Sequence, residues 1–300
     1  MKYLFIILMF LGFSAYAQQD PLFNQYQFNQ LPINPAYAGV NDATSFDLQY
    51  RSQWGGVEGA PATAMFSGHT SLNQNKVGVG FVLLSDQIGI TTNTHFNLTY
   101  AYELEITNRL TLSFGLQTGL LSFQYDFDEL NLEDQTDIDF IRADQGFTKF
   151  NIGSGLFLSS DRFYIGLSIP QLLEPTEDIG ENSGERYNRH FYMTSGLVID
   201  KIQAVKLKPY TIIRSAKNTS LSADVGVNAL FADIIWGGFF TRNFKTLGIS
   251  TFLNLDNGLR VGYSGELISN DLATGFNTHE ISLGLDLELF SNQVVAKRNY

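Results

Sequence analysis

Ser67 and His69 stand two residues apart in the stretch Ser-Gly-His-Thr-Ser, 67–71. On a strand this spacing puts both side chains on one face, as a hydrolytic serine and its general base require. Neither a G-x-S-x-G elbow nor an orienting carboxylate accompanies them, so a chance pair in a chain rich in Ser and Thr is the simpler explanation. The other histidines, His95, His190 and His279, form no i, i+4 pair and no H-E-x-x-H. A zinc site is therefore not expected. The acidic run DFDELNLEDQTDIDFIRAD, 126–144, offers the oxygen ligands that calcium takes, but it lacks the EF-hand glycine and terminal glutamate. It reads as a solvated surface loop, and so does EPTEDIGENSGE at 174–185. No catalytic residue, metal or cofactor is expected, and the chain reads as a non-enzyme.

The remaining charges fall on one side of a two-residue period. Asp47, Arg51, Glu103, Glu105, Lys149, Arg260, Glu266, Asp286 and Glu288 all alternate with apolar neighbours. In ISLGLDLEL, 281–289, Ile281, Leu283, Leu285, Leu287 and Leu289 oppose Ser282, Gly284, Asp286 and Glu288. In FDLQYR, 46–51, Phe46, Leu48 and Tyr50 oppose Asp47, Gln49 and Arg51. This is β-strand patterning with one polar and one apolar face. Composition agrees: 25 Phe, 14 Tyr and 27 Gly, with no Cys. The net charge of −11 argues against a nucleic-acid partner.

A soluble sandwich alternates too, but the runs here approach the ~9–11 residues that a tilted strand needs to cross a bilayer. The spacing predicts strands over 44–54, 61–72, 76–86, 92–106, 110–125, 147–159, 162–169, 189–200, 205–215, 219–230, 233–242, 245–255, 258–267 and 276–289. Tight links (NQNK, TNR, SSD, DKIQA, FAD, LDNG) alternate with links that include the long ones at 126–146, 170–188 and 268–275. Short periplasmic turns and longer outer loops are the habit of outer-membrane barrels. Tyr50, Trp54, Tyr100, Tyr102, Tyr125, Tyr192, Phe239 and Phe240 near strand ends read as interfacial girdles. The expected fold is all-β: a transmembrane antiparallel outer-membrane β-barrel of about 14 strands. Its polar face lines the lumen, where the charges form strand-bridging ion pairs, and its apolar face meets outer-membrane lipid. In TGLLSFQY, 118–125, the apolar positions switch from even to odd, which predicts a bulge.

Ahead of the barrel, Lys2, the apolar run Tyr3–Phe13 and Ala15-Tyr16-Ala17 read as a cleaved signal peptide, 1–17. Residues 18–43 then form a periplasmic or plug segment, 44–290 the barrel and 291–300 a tail. Residues 24–40 carry amides, aromatics and two prolines but no charge. Pro35 keeps Asn34 out of helical geometry and Gly39 permits a turn. Such a segment suits a wet lumen, either as a plug or as a docking element. Asp20, Pro21, Phe23, Gln25, Tyr26, Asn34, Pro35, Tyr37 and Gly39 are its candidate contacts. Trp54, Gly55, Gly56, Gly59 and Pro61 form a first outer loop, a candidate for partner contact.

Three stretches also carry a family resemblance. Asp20-Pro21, Phe23, Gln25 and Tyr26 fit D-P-x-F-x-Q-Y, and Asn34–Gly39 is N-P-A-Y-A-G. Tyr50, Arg51, Gln53, Trp54, Gly59, Pro61 and Thr63 fit Y-R-x-Q-W followed by G-x-P-x-T. The order resembles the PorP/SprF family of the type IX secretion system of Bacteroidetes. The resemblance implies a barrel that supports export or surface anchoring of secreted proteins bearing a C-terminal signal domain, gliding adhesins among them. It also implies contact with periplasmic ring components of that machine. The residues taken alone fit a porin or hydrophobic-solute channel equally well.

Overall fold

The computed structural model describes residues 22–127, 146–179, 182–185, 188–202, 205–217, 219–255, 257–268, 276–290 and 293. The expected signal peptide, residues Asp20 and Pro21, most of the 126–144 run and most of the tail lie outside them. The strands are β1 (Thr44–Ser52), β2 (Ala62–Leu72), β3 (Val77–Ile88), β4 (Thr91–Thr107), β5 (Leu110–Tyr125), β6 (Gly146–Ser160), β7 (Phe163–Ile169), β8 (Thr176–Ile179), β9 (Asn182–Glu185), β10 (His190–Leu197), β11 (Ile199–Ile202), β12 (Val205–Ala216), β13 (Ser222–Phe231), β14 (Ile235–Arg242), β15 (Thr246–Asn254), β16 (Leu259–Ile268) and β17 (Phe276–Leu287).

Each barrel strand pairs antiparallel with its neighbour in sequence, β1 pairs with β17, and β10 pairs with both β7 and β12, so the ring closes. β10 and β11, parted at Val198, both run along β12 and count as one strand, which makes a fourteen-stranded antiparallel barrel. β8 and β9 form a small separate hairpin within the 170–188 link, an element that the sequence pattern did not reveal.

The two-residue period sorts side chains as its chemistry requires. On β1, Asp47, Gln49 and Arg51 are 5 %, 3 % and 1 % exposed, whereas Leu48 and Tyr50 are 50 % and 52 % exposed. Phe96, Leu98, Tyr100, Tyr102 and Leu104 continue the outward apolar band on β4, as do Ile281 and Leu283 on β17. Closure leaves no exposed sheet edge through the band, the condition for strands to span lipid. Tight turns at the end where β1 begins rely on left-handed backbone, as at Asn73, Gln74 and Asn75 (φ 50°, 59° and 61°). Asn adopts this region at low cost.

Two expectations require correction. β5 has no bulge at 118–125: its register against β4 and β6 runs unbroken through that stretch. The apolar parity switches because Leu121 and Phe123 point inward and are buried, with Phe123 stacked on Phe147 at 4.8 Å. Likewise Tyr192 and Phe240 are not girdle residues; both are buried on the lumen side. Phe239, beside Phe240, does face outward.

At Tyr192 and Phe240 the lumen is apolar because protein occupies it. Every residue from Leu22 to Gly39 except Pro32 is buried. Among the described residues, three hydrophobic clusters lie between this segment and the wall. Phe23, Leu31, Ala36 and Tyr37 pack with Met65, Val82, Leu84 and Phe157. Leu22, Tyr26 and Ile33 pack with Tyr192, Tyr210, Ile212 and Phe240. Phe28 packs with Leu230, Trp236 and Phe252.

Candidate functional site: the lumen and the segment it holds

The segment is a chain of turns. Phe28 N–H donates to the Gln25 carbonyl (2.9 Å) and Asn34 N–H to that of Gln30 (2.8 Å). Asn34 is extended (φ −142°, ψ 108°), as a residue before proline must be. Its Oδ1 accepts from Ala36 N–H (3.0 Å) and caps the single 3-10 turn Pro35–Tyr37. Gly39 then takes a left-handed φ of 85° and sends the chain toward β1.

Asn34–Gly39 sit directly on wall backbone. A Cβ at Gly115 would collide with the Pro35–Ala36 peptide, one at Gly78 with the Ala38 carbonyl, and one at Gly155 with the Asn34 amide. These wall glycines therefore let two backbones touch. Asn34 Nδ2 donates to the Leu156 carbonyl (3.0 Å), and Gly39 N–H donates to His69 Nδ1 (3.2 Å).

Residues 22–33 are held differently, by polar side chains. Glu280 accepts the N–H groups of Asn24 (2.7 Å) and Gln25 (3.0 Å). Ser282 donates to Gln25 Oε1 (2.6 Å), and Arg242 donates to Asn24 Oδ1 (3.1 Å). Lys208 Nζ donates to the Gln27 carbonyl (3.1 Å) and lies over the rings of Phe28, Trp236 and Tyr164 at 5.0, 5.7 and 5.8 Å. Rings so placed attract an ammonium group. Phe28 itself stacks on Phe252 at 4.2 Å.

Wall charges pair across strands. Arg51 bridges Glu266 (3.1 Å) and Glu280 (3.4 Å). Arg242 bridges Asp224 (2.9 Å) and Glu266 (3.2 Å). Arg260 bridges Asp47 (3.1 Å) and Asp286 (3.0 Å). These pairs join β1, β13, β14, β16 and β17 and set three guanidinium groups against five buried carboxylates.

Of the residues singled out from sequence, Phe23, Gln25, Tyr26, Asn34, Pro35, Tyr37 and Gly39 are all within the lumen, whereas Asp20 and Pro21 are outside the described residues. Asp47, Arg51, Arg260, Glu266 and Asp286 share the ion-pair network. Four do not fit a lumen lining. Glu105 and Glu288 are exposed, being at or past strand ends, and Glu103 is only half-buried beside Gly39. Lys149 is exposed and lies over Phe147 near the opposite end of the barrel. Ser67 and His69 are inside the barrel with no groove before them: Ser67 Oγ accepts from Asn29 (2.9 Å). Asp224, Arg242, Glu280 and Lys208 were missed. Each occupies an inward position of a strand that the sequence pattern had already outlined, so strand parity alone points to them.

The first outer loop is a folded unit. Gly55 N–H donates to the Asn277 carbonyl (2.7 Å), Gly89 N–H to that of Gly59 (3.0 Å) and Gln53 N–H to that of Pro61 (2.9 Å). Gly56 and Gly59 are left-handed (φ 91° and 70°), and so is Trp54 (φ 50°), whose side chain is exposed. The loop thus ties β1–β2 to β17 and to the β3–β4 turn.

The cavity between Leu22, Phe23, Ile33, His95, Gln171 and Tyr192 holds about 50 Å³, well below the ~300 Å³ of a small ligand site. Among the described residues no three His, Cys, Asp or Glu side chains gather as a metal site.

Solved structures with this architecture include the CymD monoaromatic hydrocarbon channel (TM-score 0.50, 10 % identity, 86 % of this chain and 91 % of that one). The P. putida toluene transporter TodX is similar too (TM-score 0.50, 9 % identity, 87 % and 95 %). At such identities the likeness concerns the fold, that of an outer-membrane barrel. No curated protein sequence matches the chain. The family model described as "Type IX secretion system membrane protein PorP/SprF" matches residues 15–285. An outer-membrane β-barrel matched over nearly its whole length by that model, the chain belongs to the PorP/SprF family.

Proposed function

We propose that the protein is a non-enzymatic, plugged outer-membrane barrel that supports export or cell-surface anchoring of secreted proteins bearing a C-terminal signal domain. One observation carries this most strongly: residues 22–39 fill the lumen through three hydrophobic clusters and a set of buried hydrogen bonds. A barrel so filled is poorly suited to free diffusion of solutes. What it offers partners is its two ends, with the folded Trp54–Pro61 loop at one mouth and tight turns at the other. Family membership points to periplasmic ring components at the turns and to secreted cargo, a gliding adhesin for example, at the outer loops.

The test is a mild-detergent pull-down of the tagged protein from its native outer membrane, read by mass spectrometry. Recovery of a large secreted protein with a C-terminal signal domain, or of secretion-ring proteins, is expected. A lone barrel, recovered under conditions that preserve other secretion complexes, would refute the proposal.

A further inference from the structure

The two halves of the lumen segment are gripped by different chemistry. Asn34–Gly39 rest backbone to backbone on wall glycines, a seat shaped for that one path. Residues 22–33 are gripped through backbone groups and uncharged side chains together. Glu280 takes two consecutive backbone N–H groups, Lys208 donates to the Gln27 carbonyl, and Ser168 donates to the Ile33 carbonyl (2.5 Å). The side-chain contacts are with neutral amides: Ser264 with Asn24 (3.3 Å), Ser282 with Gln25 and Thr194 with Gln30 (2.9 Å). Phe28 enters an aromatic recess beside Trp236 and Phe252. The Arg51–Glu266 and Arg242–Asp224 pairs lie within the wall, and Arg242 meets the segment through the neutral Asn24 amide.

We infer that this half of the lumen is a polypeptide-binding groove, filled in cis by residues 22–33. A segment of the same chemistry, uncharged and rich in Asn, Gln and aromatic residues, takes it in trans by exchange. A segment rich in acidic residues is excluded, because its carboxylates would be buried against a wall that already sets five carboxylates against three guanidinium groups. The inference does not depend on the secretion role, since it concerns only what the wall binds.

The test begins with the folded full-length chain carrying a protease site inserted between Asn41 and Asp42, next to exposed backbone. After cleavage in detergent, a fluorescein-labelled peptide with the sequence of residues 20–40 is added. Incorporation of one label per barrel is expected, with displacement of the native segment. A peptide with Asn24, Gln27 and Gln30 all changed to Glu should not enter. Lys208→Ala should speed exchange about tenfold, as loss of a charged hydrogen bond implies. A second variant lacks residues 20–33 and carries Trp54→Phe, leaving Trp236, 6.0 Å from Phe28, as the single indole of the chain. Its emission should shift when the neutral peptide binds. No incorporation after several days together with no shift overturns the inference, and so does equal entry of the charged peptide.

Discussion

The close backbone contacts at Gly78 and Gly115 allow the plug to be loosened without altering it. In Gly115→Ala the new methyl would meet Ala36 Cα at 2.5 Å and the Pro35–Ala36 peptide closer still. In Gly78→Ala it would meet the Ala38 carbonyl and, at 2.9 Å, Gly39 N. The atoms struck are backbone, so no rotamer change relieves the clash. Overpacking of this kind costs about 1–3 kcal/mol. The barrel ladder is untouched and the strain is local, so it favours the state in which Asn34–Gly39 leave their seat. At about 2 kcal/mol that open state gains roughly thirtyfold, each 1.4 kcal/mol being tenfold. Hydrogen exchange of the Ala36, Tyr37 and Gly39 amides should accelerate by about that factor in each variant, while amides of β16 and β17 keep their rates. Gly237→Ala, where the added atom meets nothing within 4 Å, is the control and should change neither set. Unchanged exchange at Asn34–Gly39 in both variants would refute the backbone-to-backbone seat.

Other consequences can be measured on the same preparation. Arg51→Met strands Glu280, which keeps only its backbone donors, while Glu266 retains Arg242. A loss of about 3 kcal/mol is expected in urea unfolding from bilayers, partly restored by adding Glu280→Gln. Leu116→Arg puts a charge on the lipid face near the middle of β5 and should cost about 2–4 kcal/mol in the same assay; Gln117→Arg, facing inward, tests the opposite face. Partial loss of hydration raises the Asp42 carboxyl above the usual range, with Glu105 adding to the effect. A carboxyl raised on folding favours the fold while protonated and loses that contribution as pH rises through its folded-state value. Asp42→Asn should therefore stabilise the protein slightly at pH 7 and not below about pH 3.5, the gain being small because Asp42 is an exposed residue.

The barrel was legible because each strand separates two unlike media. Where lipid faces one side and polar side chains the other, as on β1 and β17, a two-residue period marks both the strand and its orientation. The pattern failed where the inside is neither water nor charge. Tyr192 and Phe240 face inward because they pack with Leu22, Tyr26 and Ile33 of the plug, and Leu121 and Phe123 are buried on the inner face, Phe123 stacked on Phe147. Polarity alone then suggests a bulge or a girdle. The plug seat left no sequence signal, since Gly78, Gly115 and Gly155 resemble any strand glycine until the opposing backbone is located. Charge on the polar face could be read, but not its pairing. That Arg51 meets both Glu266 and Glu280 depends on the register of β1 on β17 and β17 on β16, which closure sets.

The barrel carries its own N-terminal segment as a lumen filling. Single-channel recording of the purified wild-type protein in planar bilayers tests it most directly. The filled lumen predicts a silent membrane under applied potential, with stable current only in the variant lacking residues 20–33. A steady, large conductance from the wild-type chain would contradict it.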